Sequence, residues 1–193
     1  MKNPDKIICG YNDRKIAQRE NKMTEKIFLL IENEYRDEEI IYPYYRFKDA
    51  GYEVKVVGPE KGKQYRGKYG TFLESDLAVS EADPVDAAAL IIPGGYAPDK
   101  MRINKDMVDL VKKMNLQQKV IGAICHGGWV LIEADIIKGK KVTGYISIAT
   151  DLKNAGGEYL DKEVVVDGNI VTSRKPDDLP AFCMTILELI KNS

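Results

Sequence analysis

The sequence predicts an α/β protein: a flavodoxin-like, three-layer α/β/α sandwich with a mostly parallel sheet and a nucleophile elbow. Three observations carry this expectation. Apolar runs such as Lys26-Ile27-Phe28-Leu29-Leu30-Ile31 and Ala87-Ala88-Ala89-Leu90-Ile91-Ile92 lack polar alternation, as parallel strands covered on both faces do. Helical stretches alternate with these runs, giving the strand, helix, strand order of right-handed βαβ units. The apolar run that ends at Ile124 stops abruptly at Cys125-His126-Gly127-Gly128, a thiol followed by glycines where a helix opens.

Taken in order, Lys26 to Ile31 is the first strand. The polar loop from Glu32 leads into a helix from about Glu38 to Ala50, which Gly51 closes. Glu53 to Val57 is the second strand. From Gly58 to Ala82 the chain is rich in glycine, charge and tyrosine, predicting a hairpin excursion around Tyr69-Gly70 and Leu77-Ala78-Val79. Ala87 to Ile92 returns to the sheet and ends at Pro93-Gly94-Gly95. A helix from Lys105 to Asn115 and the strand ending at Ile124 follow, then a helix from Trp129 to Ala134. Later come a segment near Val142-Thr143-Gly144, a helix from Ile148 to Ala155, strands at Glu163 to Val166 and Ile170 to Thr172, and a closing helix from Leu179 to Ile190. In such sheets ligands sit beyond the carboxyl ends of the strands, which brings three loops together: Glu32 to Glu39, Pro93 to Asp99 and Cys125 to Gly128.

Length and charge narrow the function classes. The 193 residues fit one α/β domain, and 29 basic against 30 acidic residues give a net charge of −1. No basic surface for nucleic acid is expected, and no apolar run is long enough to span a membrane. Three widely spaced cysteines (Cys9, Cys125 and Cys183) show no metal-ligand pattern, and reduced thiols in the cytoplasm are expected. No phosphate loop or dinucleotide fingerprint is present, so no cofactor and no metal is expected. Residues 1–25 are polar and read as an extension, with Met23 as an alternative start; the domain proper is 26–193.

Cys125 and His126, the sole histidine, form the chemical centre. A thiol acts as a nucleophile in its thiolate form, and the positive end of the following helix and an imidazole are its candidate helpers. A buried structural thiol is the alternative for an isolated cysteine. The strand context and the glycines favour the nucleophile. Gly94 and Gly95 let a substrate approach bare amides, so the Gly95 and His126 amides form a candidate oxyanion hole. The acidic run from Glu32 to Glu39 supplies a carboxyl that, if buried beside the thiol, would be protonated and donate to the sulfur. Cys183 falls in the closing apolar helix and is expected in the core.

The motifs Ile41-Tyr42-Pro43-Tyr44, Leu90-Ile91-Ile92-Pro93-Gly94-Gly95-Tyr96-Ala97-Pro98-Asp99 and Ala123-Ile124-Cys125-His126-Gly127 appear in this order. Asn154-Ala155-Gly156, Val164-Val165-Val166-Asp167-Gly168-Asn169, Thr172-Ser173-Arg174 and Pro176-Asp177-Asp178-Leu179-Pro180 follow them. In this series the chain resembles the ThiJ/PfpI superfamily, in its PfpI-type branch of intracellular cysteine peptidases and stress proteins, a class I glutamine amidotransferase-like domain. The resemblance implies that Cys125 is the nucleophile and that Glu39 bonds its sulfur. It implies that His126 takes a carboxylate, at Asp99, from a neighbouring subunit of a homodimer or dimer-based hexamer. Tyr145 matches a pocket tyrosine, and Gly94, Tyr96 and Trp129 join it in the expected pocket. Asp99 stands where glutamate is usual, Gly128-Trp129 replaces the usual proline and polar residue, and Tyr96 and Arg36 alter the pocket charge. The function expected is a cysteine-dependent enzyme acting on small reactive carbonyls in stress protection, of the glyoxalase III or deglycase type. Its substrates would be α-oxoaldehydes or their protein adducts. The alternatives are an intracellular cysteine peptidase or amidase, and a redox-responsive stress protein or chaperone without turnover whose low-pKa thiolate is readily oxidised.

Overall fold

The computed structural model describes residues 25–193, so the expected extension at 1–25 and Cys9 lie outside it, apart from Glu25. Seven strands form the central sheet: β1 (Lys26–Leu30), β2 (Glu53–Gly58), β5 (Leu77–Ala78), β6 (Ala87–Ile92), β7 (Val120–Ile124), β10 (Val164–Asp167) and β11 (Ile170–Ser173). Their spatial order is β10-β11-β7-β6-β1-β2-β5. All neighbours pair in parallel except β10 and β11, which form an antiparallel hairpin at one edge. The apolar runs become strands because both faces are covered: Ile27 to Leu30, Leu90 to Ile92 and Val120 to Ile124 are all buried.

Helices fill the outer layers. On one side α1 (Asp37–Asp49) packs against the closing helix α6 (Leu179–Lys191), which also lies over β6, β7 and β11. On the other side α2 (Ala97–Arg102), α3 (Lys105–Leu116), α4 (Gly128–Glu133) and α5 (Ala149–Asn154) pack on one another. α3 is capped by Asn104, whose side chain accepts from the amides of Asp106 and Met107 at 3.0 and 3.2 Å. Fully buried Phe28, Tyr35, Phe47, Tyr65 and Phe182 fill the space between layers. Cys183 is likewise fully buried on α6, as expected.

The sandwich agrees with the sequence expectation, and the differences are local. α2 begins inside the stretch expected to be a loop from Pro93 to Asp99; Pro98 is tolerated because the first turn of a helix needs no donated N–H. The hairpin excursion exists as β3 (Gln64–Arg66) and β4 (Phe72–Glu74), but Leu77-Ala78 instead pairs with β2 at the sheet edge, and Val79 opens a 3-10 turn. The segment near Val142 contributes β8 (Lys141–Val142), which pairs with β9 (Glu158–Tyr159). Two residues flanked by polar neighbours give β9 no period to detect.

Candidate functional site

The loops at the carboxyl ends of β1, β6 and β7 meet, as the strand order requires. Cys125 follows Ile124, the last residue of β7, and holds φ at +60°, a left-handed conformation that L side chains rarely adopt. This is the sharp elbow expected from the sequence. It is followed by a 3-10 turn over Cys125–Gly127 and by α4. Cys125 is 8% exposed, and the amides of Gly95 and His126 point at its sulfur. The two amides from which an oxyanion hole is expected therefore both lie against the Cys125 thiol.

Glu39 arrives from the first turn of α1 and is fully buried. Its Oε2 accepts from the Gly94 amide at 2.6 Å, and Oε1 has no hydrogen-bond partner among the described residues. The closeness depends on Gly94: a Cβ there would lie 2.6 Å from both the Cys125 Cβ and the Glu39 Oε2. Gly95, at φ +79°, supplies the second conformation that only glycine adopts readily. Pro43 lies in the same helix and has no N–H to give the carbonyl of Glu39.

These surroundings set the proton balance. Burial pushes Glu39 up to about 7, against the opposing pull of the Gly94 amide. Burial, then the charge of Glu39, pushes the Cys125 thiol up to about 12; the Gly95 and His126 amides pull the other way. The sequence expectation of a low-pKa thiolate is thus corrected. The helix after the elbow helps through two amides, but desolvation and a neighbouring acid outweigh it. Burial, and after it a charged Glu39, keeps the thiol protonated, so above about pH 7 the pair holds one proton between them.

His126 does turn its ring toward the thiol, with Nδ1 at 3.1 Å from the Cys125 Sγ. Its Nε2 lies 3.1 Å from the Ser147 hydroxyl, a partner the sequence reading missed because an isolated serine in a polar turn carries no pattern. The ring sits between Trp129 and Tyr145, at centroid distances of 5.1 and 5.2 Å. Burial, then the charge of Lys68, lowers the His126 pKa.

A cavity of about 340 Å³ opens over the sulfur, lined by Arg36, Glu39, Lys68, Gly95, Tyr96, Cys125, His126, Tyr145 and Pro176. Tyr96 and Tyr145 stand where the sequence expects pocket residues. Gly94 lies beneath the floor, between thiol and carboxyl. Trp129 is behind His126, off the pocket wall, where its indole N–H donates to Asp151 at 2.8 Å. Asp99 is exposed on α2 and does not line this pocket; its expected service to His126 concerns a second copy of the chain. Lys68 was also missed. The Asp37 carboxylate places its loop by accepting from the amides of Tyr69 and Thr71 at 2.8 and 2.9 Å. The Lys68 ammonium lies 4.5 Å from the Tyr96 ring centroid. A wider groove of about 1000 Å³ between α1 and the start of α6 contains none of the thiol, acid or imidazole.

Comparison with known proteins gives consistent results. A profile described as the DJ-1/PfpI family matches residues 25–189. The chain is 45% identical to Deglycase PfpI of Pyrococcus furiosus, over 86% of this chain and 99% of that protein. It is also 45% identical to the putative cysteine protease YraA of Bacillus subtilis, over 88% of this chain and all of that protein. Protein/nucleic acid deglycase 2 of Escherichia coli is 42% identical, over 87% of this chain and 99% of that one. Among solved structures, a two-domain protein from Anabaena variabilis with DJ-1/ThiJ/PfpI-like and ferritin-like domains superposes with a TM-score of 0.86 at 44% identity. The match covers 87% of this chain and 48% of that longer one.

Proposed function

Because this chain belongs to the DJ-1/PfpI family, we propose that it is a cysteine-dependent enzyme that converts α-oxoaldehydes, or releases their adducts from proteins, as 2-hydroxy acids. Three relatives similar along almost their whole length carry names that point to deglycase or cysteine protease activity. The observation that carries the reading is Glu39. It is a fully buried carboxyl beside the thiol, tied down through one oxygen, with the other oxygen unengaged and a proton affinity near neutrality. A group that gains and loses a proton near pH 7 is suited to general acid–base work.

The steps follow from this placement. Cys125 gives its proton to the Glu39 carboxylate as its sulfur adds to the aldehyde carbon. The carbonyl electron pair becomes an oxyanion facing the Gly95 and His126 amides, which then takes that proton to complete a hemithioacetal. Glu39 removes the hydrogen of that carbon as a proton and returns it to the neighbouring carbon, while the hydroxyl proton ends on the neighbouring oxygen. The product is the thioester of a 2-hydroxy acid. Water cleaves it, releasing the acid and restoring the thiol. For a protein adduct the leaving amine departs before the thioester forms.

A cysteine peptidase is the second reading, and the 3.1 Å approach of His126 to the sulfur favours it. It is the weaker one, because within one chain Nε2 faces a hydroxyl and gains no negative charge to sustain an imidazolium that must protonate a leaving amine. A thiol held protonated by burial and by its acidic neighbour also disfavours a stress protein that acts only by being oxidised. No helix among the described residues is long and apolar enough to cross a membrane. We assign the protein to the cytoplasm as a homodimer or dimer-based hexamer, acting on small carbonyls rather than nucleic acid. Lactate formation from methylglyoxal tests the proposal: Cys125→Ala is expected to abolish it, and lactate production by that variant at the wild-type rate would overturn it.

A further inference from the structure

We infer that the Lys68 ammonium receives a carboxylate of the substrate, so that the pocket prefers α-oxoaldehydes whose far end is anionic. This deepens the proposed function and rests on its assignment of Cys125 as the group that meets the aldehyde.

The charges at the pocket mouth leave Lys68 uncommitted. Arg36 donates to the Glu38 carboxylate at 2.9 Å and to the Tyr69 hydroxyl at 2.8 Å. Glu34 is held by Lys100 at 2.8 Å. Glu39, the acid inside the cavity, lies against the thiol and is half protonated at about pH 7. Lys68 lines the same cavity as Cys125 and His126, and its charge is felt at the imidazole. It forms no ion pair among the described residues.

The position of Lys68 is built. Its amide donates to the carbonyl of the fully buried Tyr35 at 2.8 Å, and Asp37 holds the amides of Tyr69 and Thr71. Gly67 packs so closely on that carboxylate that a Cβ there would lie 2.6 Å from its Oδ1. The ammonium then rests between two rings, 4.5 Å from the Tyr96 centroid and 5.7 Å from that of Tyr69. Ring faces attract a cation without neutralising it, so the charge stays available to an anion.

The count of charges selects the kind of anion. A carboxylate brings one negative charge for the one uncommitted ammonium. A phosphate dianion would bring a second charge without a partner, because Arg36 is engaged by Glu38. A cavity of about 340 Å³ accommodates a short dicarbonyl chain held at both ends, its aldehyde at the sulfur and its carboxylate at Lys68. Lys68 makes and breaks no bond. The proposed steps are unchanged, and the product is a 2-hydroxy acid with a second carboxylate.

Two measurements on the assembled protein test this. In the first, Cys125 is alkylated at pH 8 by iodoacetate or by iodoacetamide, which share a leaving group and differ in charge. The ratio of the two rates cancels the ionised fraction of the thiol. It also includes any carboxylate that Asp99 of a second copy brings to His126. Lys68→Gln is expected to lower the iodoacetate-to-iodoacetamide ratio about three- to fivefold, the scale of an exposed ion pair, and Lys68→Arg to restore it. In the second, kcat/KM for 4,5-dioxopentanoate is divided by that for 2-oxopentanal, which has a methyl group in place of the carboxylate. Wild type is expected to favour the carboxylate, and Lys68→Gln to lower that preference by about the same factor, chiefly through KM. An alkylation ratio or a substrate preference that Lys68→Gln leaves at the wild-type value would overturn the inference. Failure of the proposed reaction shows separately, as no turnover of either aldehyde, and the alkylation ratio then decides the role of Lys68 alone.

Discussion

Glu39 and Cys125 are held against each other across the bare backbone of Gly94, at a separation that a single methyl group would disrupt. One carboxyl oxygen takes the Gly94 amide and the other has no hydrogen-bond partner. Burial raises the proton affinity of both groups; the charge of Glu39 raises that of the thiol further, while the thiol pulls Glu39 the other way. Chemistry at the site therefore depends on where one proton sits, and the acid is as much a part of the nucleophile as the sulfur.

Replacing Glu39 with glutamine tests this in two ways. The folded protein binds the Glu39 proton up to about pH 7, whereas the carboxyl ordinarily releases it near 4.5. The stabilising contribution is therefore complete below pH 4.5 and is lost as the pH rises through about 7. The loss is on the order of 3 kcal/mol, at about 1.4 kcal/mol per pH unit. Denaturant titrations from pH 4.5 to 8 are expected to show Glu39→Gln without this decline, and more stable than wild type at pH 8. Its kcat is expected to fall at least ~100-fold, the scale of lost acid–base catalysis.

The same substitution is expected to make the thiol easier to ionise, because it removes the charge that helps push Cys125 up to about 12. Peptide mass spectrometry after brief iodoacetamide treatment at pH 8 would then show Cys125 modified about tenfold faster in Glu39→Gln than in wild type. Cys183, fully buried in α6 and raised to about the same value by burial, is the internal control.

Gly94→Ala places its methyl carbon 2.6 Å from the Cys125 Cβ and the Glu39 carboxylate oxygen alike. The variant is expected to lose about 1–3 kcal/mol of stability, measured by urea unfolding, as overpacked sites do. Turnover is expected to fall by more than ~100-fold, as a displaced reacting group predicts.

Lys68→Gln removes a positive charge that contributes, after burial, to lowering the His126 pKa. The midpoint of the His126 NMR titration is expected to move up toward the ordinary 6.5, while the burial contribution remains. An unchanged midpoint would show that the ammonium does not act on the ring.

How much of this the sequence disclosed depended on the kind of feature. Strands buried on both faces, such as Ala87–Ile92, were legible because a short apolar run that stops at turn residues and alternates with helical stretches fits a covered parallel sheet. The elbow was legible because a thiol and two glycines at the end of such a run have few other uses. Glu39 emerged from its acidic neighbours only through its spacing from Pro43 in a family motif; the fold shows that it points inward from the first turn of α1 while Glu38 stays exposed. Ser147 and Lys68 were not legible, since they reach the site from turns whose placement depends on long-range hydrogen bonds, those of Tyr145 and Asp37. Trp129 was assigned to the pocket by its nearness to Cys125 in sequence, but the helical turn carries it behind the imidazole. The thiol pKa was misjudged because helix polarity is visible in sequence and desolvation is not.

The left-handed backbone at Cys125 sets stability and activity against each other at one position. An L residue at φ +60° costs about 1–2 kcal/mol, which glycine would largely avoid. Selection or engineering for heat resistance alone would therefore drift toward glycine at 125 and discard the thiol. Thermostabilisation of this scaffold has to hold residue 125 fixed and seek its gains elsewhere, and a library screened only for melting temperature would enrich inactive protein.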